Sequence, residues 1–126
     1  MLSDRRAHTT LPSSDVDALR PFYEEVLGFT PRVVLTGAVM YDAGAGTVFA
    51  ISRTGIPSSG SHTQMAFTVP DVEAEVAALR ARGVVLEDYE APKTEGGIAT
   101  IGAGRAAWFK DPQGNLLAVI QFFEPV

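Results

Sequence analysis

One short pattern occurs twice in this chain, and that most limits what it can fold into. Residues 8–15 read HTTLPSSD and residues 64–71 read QMAFTVPD, an offset of 56. In each copy an apolar residue stands three positions on (Leu11, Phe67) and an aspartate seven positions on (Asp15, Asp71). Each aspartate opens a helix-like stretch, DVDALRPFYEEVLG in the first and DVEAEVAALRARG in the second. Self-similarity at a fixed offset is the mark of a supersecondary unit built more than once.

The surroundings repeat too. Residues 7–12 and 64–69 read as short strands, with threonine, valine and aromatic content. Asp15 and Asp71 suit the N-cap position, where a carboxylate accepts the unpaired N–H groups of a first turn. Val16, Leu19, Phe22, Tyr23, Val26 and Leu27 fall at helical spacing, as do Val72, Val76 and Leu79. Pro21 removes a donor inside the first helix and predicts a kink. Gly28 and Gly83 are natural stops. Strands are predicted at 32–35, 39–41 and 47–52, then at 84–87, 105–110 and 116–122. Asp111-Pro112-Gln113-Gly114 is a strong turn signal between the last two. Each half therefore reads β-α-β-β-β, an α+β arrangement in a single domain. Module one covers about 5–53, a linker 54–61, and module two about 62–123. Residues 91–104 form a glycine-rich loop with no counterpart in the first half.

Composition narrows the chemistry. There are 126 residues, no cysteine, and two histidines, His8 and His62. Disulfide scaffolds, thiolate metal sites and cysteine nucleophiles are excluded. Ten basic residues face 15 acidic ones, a net charge of −5, which argues against nucleic-acid binding. No apolar run approaches the roughly 20 residues that span a bilayer, and the N-terminal residues lack a signal-type apolar stretch. The expectation is a soluble cytoplasmic protein with neither a nucleic-acid nor a membrane partner.

The paired halves, FYEEVLGF at 22–29 and AWFKDPQGN at 107–115 together resemble the vicinal oxygen chelate superfamily. That group holds glyoxalases, bleomycin- and fosfomycin-resistance proteins and ring-cleaving dioxygenases. The resemblance implies an open, cupped β-sheet (a half-barrel) made by two βαβββ modules, helices outside, and frequently a homodimer. It also implies four metal-ligand positions, which here hold His8, Ala50 (Ser52 in a shifted alignment), Gln64 and Ala118. Both expected carboxylates are absent. A divalent ion needs ligand charge and ligand number, so neither the family's metal nor any other cofactor is expected. A rearranged site of His8, His62 and Gln64 is the alternative.

The candidate ligand-binding residues are His8, Thr10, Tyr41, Ala50, Gln64, Ala66, Trp108 and Ala118, with Thr68 sharing their parity along its strand. Trp108, Phe109 and Tyr41 are candidates for an aromatic wall, although one strand cannot turn Trp108 and Phe109 to the same face. Gln64 either orients a polar ligand or satisfies a neighbouring strand. Tyr89 with Glu87, Asp88 and Glu90 is either a cation site or a solvated rim. Loop 91–104 is a lid or a tolerated insertion. Three functions remain open. One is a metal-free binder of a small organic molecule, such as a protein that sequesters an antibiotic. Another is a lyase, isomerase or dioxygenase that uses a rearranged metal or His8 acid–base chemistry. The third is a dimeric scaffold with a vestigial cup.

Overall fold

The computed structural model describes residues 1–56 and 58–124. Pro57, within the expected linker, lies outside the described residues. The chain divides into two compact units, Met1–Ser58 and Ser59–Val126. Each runs β-α-β-β-β, as the sequence predicts. Among the described residues no helix is long and apolar enough to cross a membrane.

In the first unit β1 (Thr9–Ser13) leads through α1 (Val16–Pro21) to β2 (Thr30–Leu35), β3 (Ala38–Asp42) and β4 (Val48–Arg53). The sheet order is β1-β4-β3-β2, with β1 parallel to β4 and the other pairs antiparallel. Asp15 caps α1 by accepting from the Ala18 N–H at 3.1 Å. At Pro21 the helix does change its winding. Residues Phe22–Val26 form a wider π-type turn, closed by Leu27 N–H donating to the Phe22 carbonyl at 2.9 Å. A residue without an N–H cannot continue the α ladder, and π turns are a known relief for such breaks. The turn seats Tyr23 on the sheet, fully buried and stacked on Tyr41 at 5.8 Å. Leu11, Val39 and Ile51 are buried beside it, and each such burial contributes about 1.5–3 kcal/mol.

The second unit has the same plan. β5 (Met65–Thr68) leads through α2 (Val72–Ala81) to β6 (Ile98–Ile101), β7 (Gly104–Lys110) and β8 (Leu116–Phe122). Their order is β5-β8-β7-β6, with β5 parallel to β8. Asp71 caps α2 through the Ala74 N–H at 3.1 Å. On the sheet side, Gln121 Oε1 accepts from the Val72 N–H at 2.9 Å. Val72, Val76 and Leu79 form the buried stripe. Neither sheet closes on itself.

Two expectations need correction. Residues 84–87 make a single bridge, Leu86 to Phe109, instead of a strand. The missing strand is β6, which lies inside the stretch read as a loop. Gly96 and Gly97, at φ 59° and 81°, reverse the chain just before it, a geometry that side chains with a Cβ resist. Apart from isolated bridges, the segment 82–97 is therefore irregular.

Candidate ligand-binding site

Each sheet has one face against its helix and one helix-free face, and strand register assigns residues to them. In the first unit Leu11, Val39, Tyr41, Phe49 and Ile51 share the helix side. Thr10 pairs with Ala50, and Ala50 with Met40, on the other. Thr10 is exposed and Ala50 is buried, and Ser52 lies on the same side. His8 is exposed and stands just before β1, outside the paired register.

Tyr41 is a correction to the expected site. It is fully buried under the helix, and its hydroxyl donates to Glu24 Oε2 at 2.9 Å. The Arg20 guanidinium holds the same carboxylate from Nε at 2.7 Å and from Nη2 at 3.2 Å. The Arg20 hydrogen bond lowers the Glu24 pKa against the opposing pull of burial. Burial, then the hydrogen bond to Glu24, raises that of Tyr41. The side chain that β3 turns to the helix-free face is Met40. Period-two alternation places Met40 and Tyr41 on opposite faces but does not say which one meets the helix.

In the second unit Ala66, Ala118 and Trp108 align in one row across β5, β8 and β7. Thr68, Ile120 and Ala106 form the next row on the same side. Phe109 is buried on the opposite face with Leu117. His62 is exposed and precedes β5. Among the described residues no group of three or more histidine, aspartate or glutamate side chains is arranged to hold a metal ion.

Gln64 performs a structural task. Its Nε2 donates to Asn115 Oδ1 at 2.9 Å, and its Oε1 accepts from the Leu116 N–H at 3.0 Å. Asn115, itself fully buried, donates from Nδ2 to Asp111 Oδ2 at 2.8 Å. Asp111 Oδ1 accepts from the N–H groups of Gln113 and Asn115 at 2.8 and 3.0 Å. Gly114, at φ 83°, makes this fold-back possible. The 111–115 motif is thus a self-bonded turn that ties β5 to the start of β8.

Trp108 is half-buried beside the alanines of its row. Its indole Nε1 donates to Thr63 Oγ1 at 3.0 Å. Tyr89 meets the indole edge-on, with centroids 5.6 Å apart and planes at 68°. Burial, then the Glu87 carboxylate, raises the Tyr89 pKa. Tyr89 also lines a cleft of about 220 Å³ with Asp88, Glu90, Lys93 and Thr94. Thr94 Oγ1 accepts from the Tyr89 N–H at 2.9 Å and fixes this turn. No sequence signal pointed to Thr63, because the link to Trp108 spans 45 positions.

Residues 5–119 match the sequence pattern of the Glyoxalase/Bleomycin resistance protein/Dioxygenase superfamily. The virulence protein STM3117 of Salmonella typhimurium is 24% identical over 97% of this chain and 87% of its own. The crystal structure of TnmS3, an antibiotic binding protein from Streptomyces sp. CB03234, is 28% identical. It superposes with a TM-score of 0.69 over 93% of this chain and 97% of that one. A glyoxalase/bleomycin resistance protein/dioxygenase structure from Nocardioides gives a TM-score of 0.73 at 20% identity, over 97% and 87% of the two chains.

Proposed function

The chain belongs to the glyoxalase/bleomycin resistance protein/dioxygenase superfamily, and we propose that it binds a small organic molecule on a helix-free sheet face without the family's divalent ion. The observation that carries this reading is the chemistry at the four expected ligand positions. Ala50 and Ala118 present methyl groups, and the Gln64 amide is engaged with Asn115 and Leu116 at both ends. That leaves one imidazole, His8, which has no register partner in β1. A divalent ion held by one neutral donor keeps its charge uncompensated, so the ion does not fit these residues.

The exposed Ala66 methyl on the helix-free face also suits an organic ligand, since pockets for such molecules are mostly apolar with few polar groups. The likeness to an antibiotic binding protein points the same way.

The test is a thermal-shift screen of antibiotics and aromatic metabolites on protein purified without chelators, run beside titrations with Zn²⁺, Ni²⁺, Mn²⁺ and Fe²⁺. A ligand at 100 times its Kd stabilises by about 2.7 kcal/mol, a shift of several degrees for a domain of this size. The expected result is a shift from an organic compound and none from the metals. Stoichiometric metal that raises Tm, and is lost in His8→Ala, would overturn the proposal in favour of an enzyme with a rearranged site.

A further inference from the structure

The geometry points to an uncharged molecule bearing a carbonyl, hydroxyl or amide group as the ligand class, selected by Thr10 and Ser52 on the helix-free face of the first sheet. This inference rests on the ligand-binding reading above and names the chemistry of its ligand.

Register fixes what that face offers. Thr10, Ala50, Met40 and Val33 form one row across β1, β4, β3 and β2. Ser52, Ala38 and Leu35 form the next row on the same side. Ala50 is buried, and the others reach solvent, Val33 and Leu35 at 40% and 62%. None of these side chains is ionisable. Asp42 is the ionisable strand residue on this side, and it stands one row further along β3. There the Arg32 Nε donates to its Oδ1 at 2.7 Å, so the two charges cancel. A charged ligand therefore finds no counter-charge to replace the water it gives up. Burying an unpaired ion costs far more than burying a neutral polar group.

Polar recognition falls to two hydroxyls. Thr10 lies across from Ala50 in β1, and Ser52 stands two residues beyond Ala50 in β4. Neither hydroxyl is engaged by another group among the described residues. Gln64 differs, because its amide is bonded at both ends. A hydroxyl donates one hydrogen and accepts through its lone pairs, so this pair suits a carbonyl, hydroxyl or amide. Beside them Met40 supplies an unbranched apolar side chain that adapts to irregular shapes.

The experiment uses three probes of one shape and different charge: 4-tert-butylbenzamide, 4-tert-butylbenzoate and 4-tert-butylbenzamidine. Calorimetry measures each affinity at neutral pH. The amide is expected to bind about tenfold tighter than either ion. Thr10→Val and Ser52→Ala should each weaken the amide about three- to tenfold with little change in Tm. Thr10→Asp, at an exposed position, should raise the affinity of the cationic amidine several-fold and lower that of the benzoate. Binding of an ion as tight as that of the amide overturns the inference and leaves the ligand-binding reading standing. So does a ranking that Thr10→Asp leaves unchanged, because the probes then sit elsewhere. Binding of none of the three also overturns it, and the wider screen then decides the broader reading by itself.

Discussion

Asn115 shows how much a single buried amide can control here. It accepts from Gln64 and donates to Asp111, and no part of it reaches solvent. Asn115→Ala would leave a carboxylate oxygen and an amide N–H without these partners. Losing a hydrogen bond at a buried polar group costs about 1–3 kcal/mol, so losing two should lower stability by roughly 2–6 kcal/mol. Urea denaturation checks this, and a loss under 1 kcal/mol would mean that water replaces both bonds. The role of Gln64 was only half legible. Its position seven before Asp71 marked it, but the partner that occupies its amide lies 51 positions away. Ala50 and Ala118 were legible as missing carboxylates because a methyl group excludes a donor in any conformation.

At the scale of elements, α1 and β3 are joined by a hydrogen-bonded triad of Arg20, Glu24 and Tyr41 whose carboxylate sits in the π turn. With its altered winding, the helix brings Glu24 over the buried Tyr41 hydroxyl while Arg20 grips the same carboxylate. Glu24 is held below its ordinary pKa of 4.5, chiefly by Arg20. A carboxylate with a depressed folded pKa stabilises the fold fully above its unfolded value, and that contribution is lost as pH falls through the folded one. The Tm difference between wild type and Glu24→Gln should therefore be constant from pH 8 to about 5.5, then shrink toward pH 3. A difference that grows on acidification would contradict the arrangement. The existence of both helices was legible from their caps and spacing, because those signals are local. The edge strand β6 was not. Residues 84–87 carry the stronger run of apolar residues, yet Val85 is 78% exposed. The strand forms instead where paired glycines turn the chain back onto β7, a tertiary choice that local pattern does not encode.

For the molecule as a whole, the repeated topology carries a kinetic consequence. In each unit the first strand pairs in parallel with the last. Thr9 meets Phe49, and Met65 meets Leu117. β7 and β8, by contrast, are joined by the self-bonded turn at 111–115. Closing a loop of some fifty residues costs about 2 kcal/mol more in chain entropy than closing one of five. The β7–β8 hairpin should form early, and β5, which carries Ala66 and follows directly on Gln64, should dock late. Substitutions then divide by rate. Phe109→Leu, in the hairpin, should mainly slow folding, and Phe67→Leu, in β5, should mainly speed unfolding. Stopped-flow chevrons measure both limbs. If Phe67→Leu slows folding as much as Phe109→Leu, the parallel pair is already formed at the barrier and the order is wrong. If the order holds, the strand that supplies Ala66 to the candidate binding face is the last part of its sheet to form. Ligand contact at that face would then act on the step that keeps the unit closed, and a bound molecule would slow unfolding more than it speeds folding.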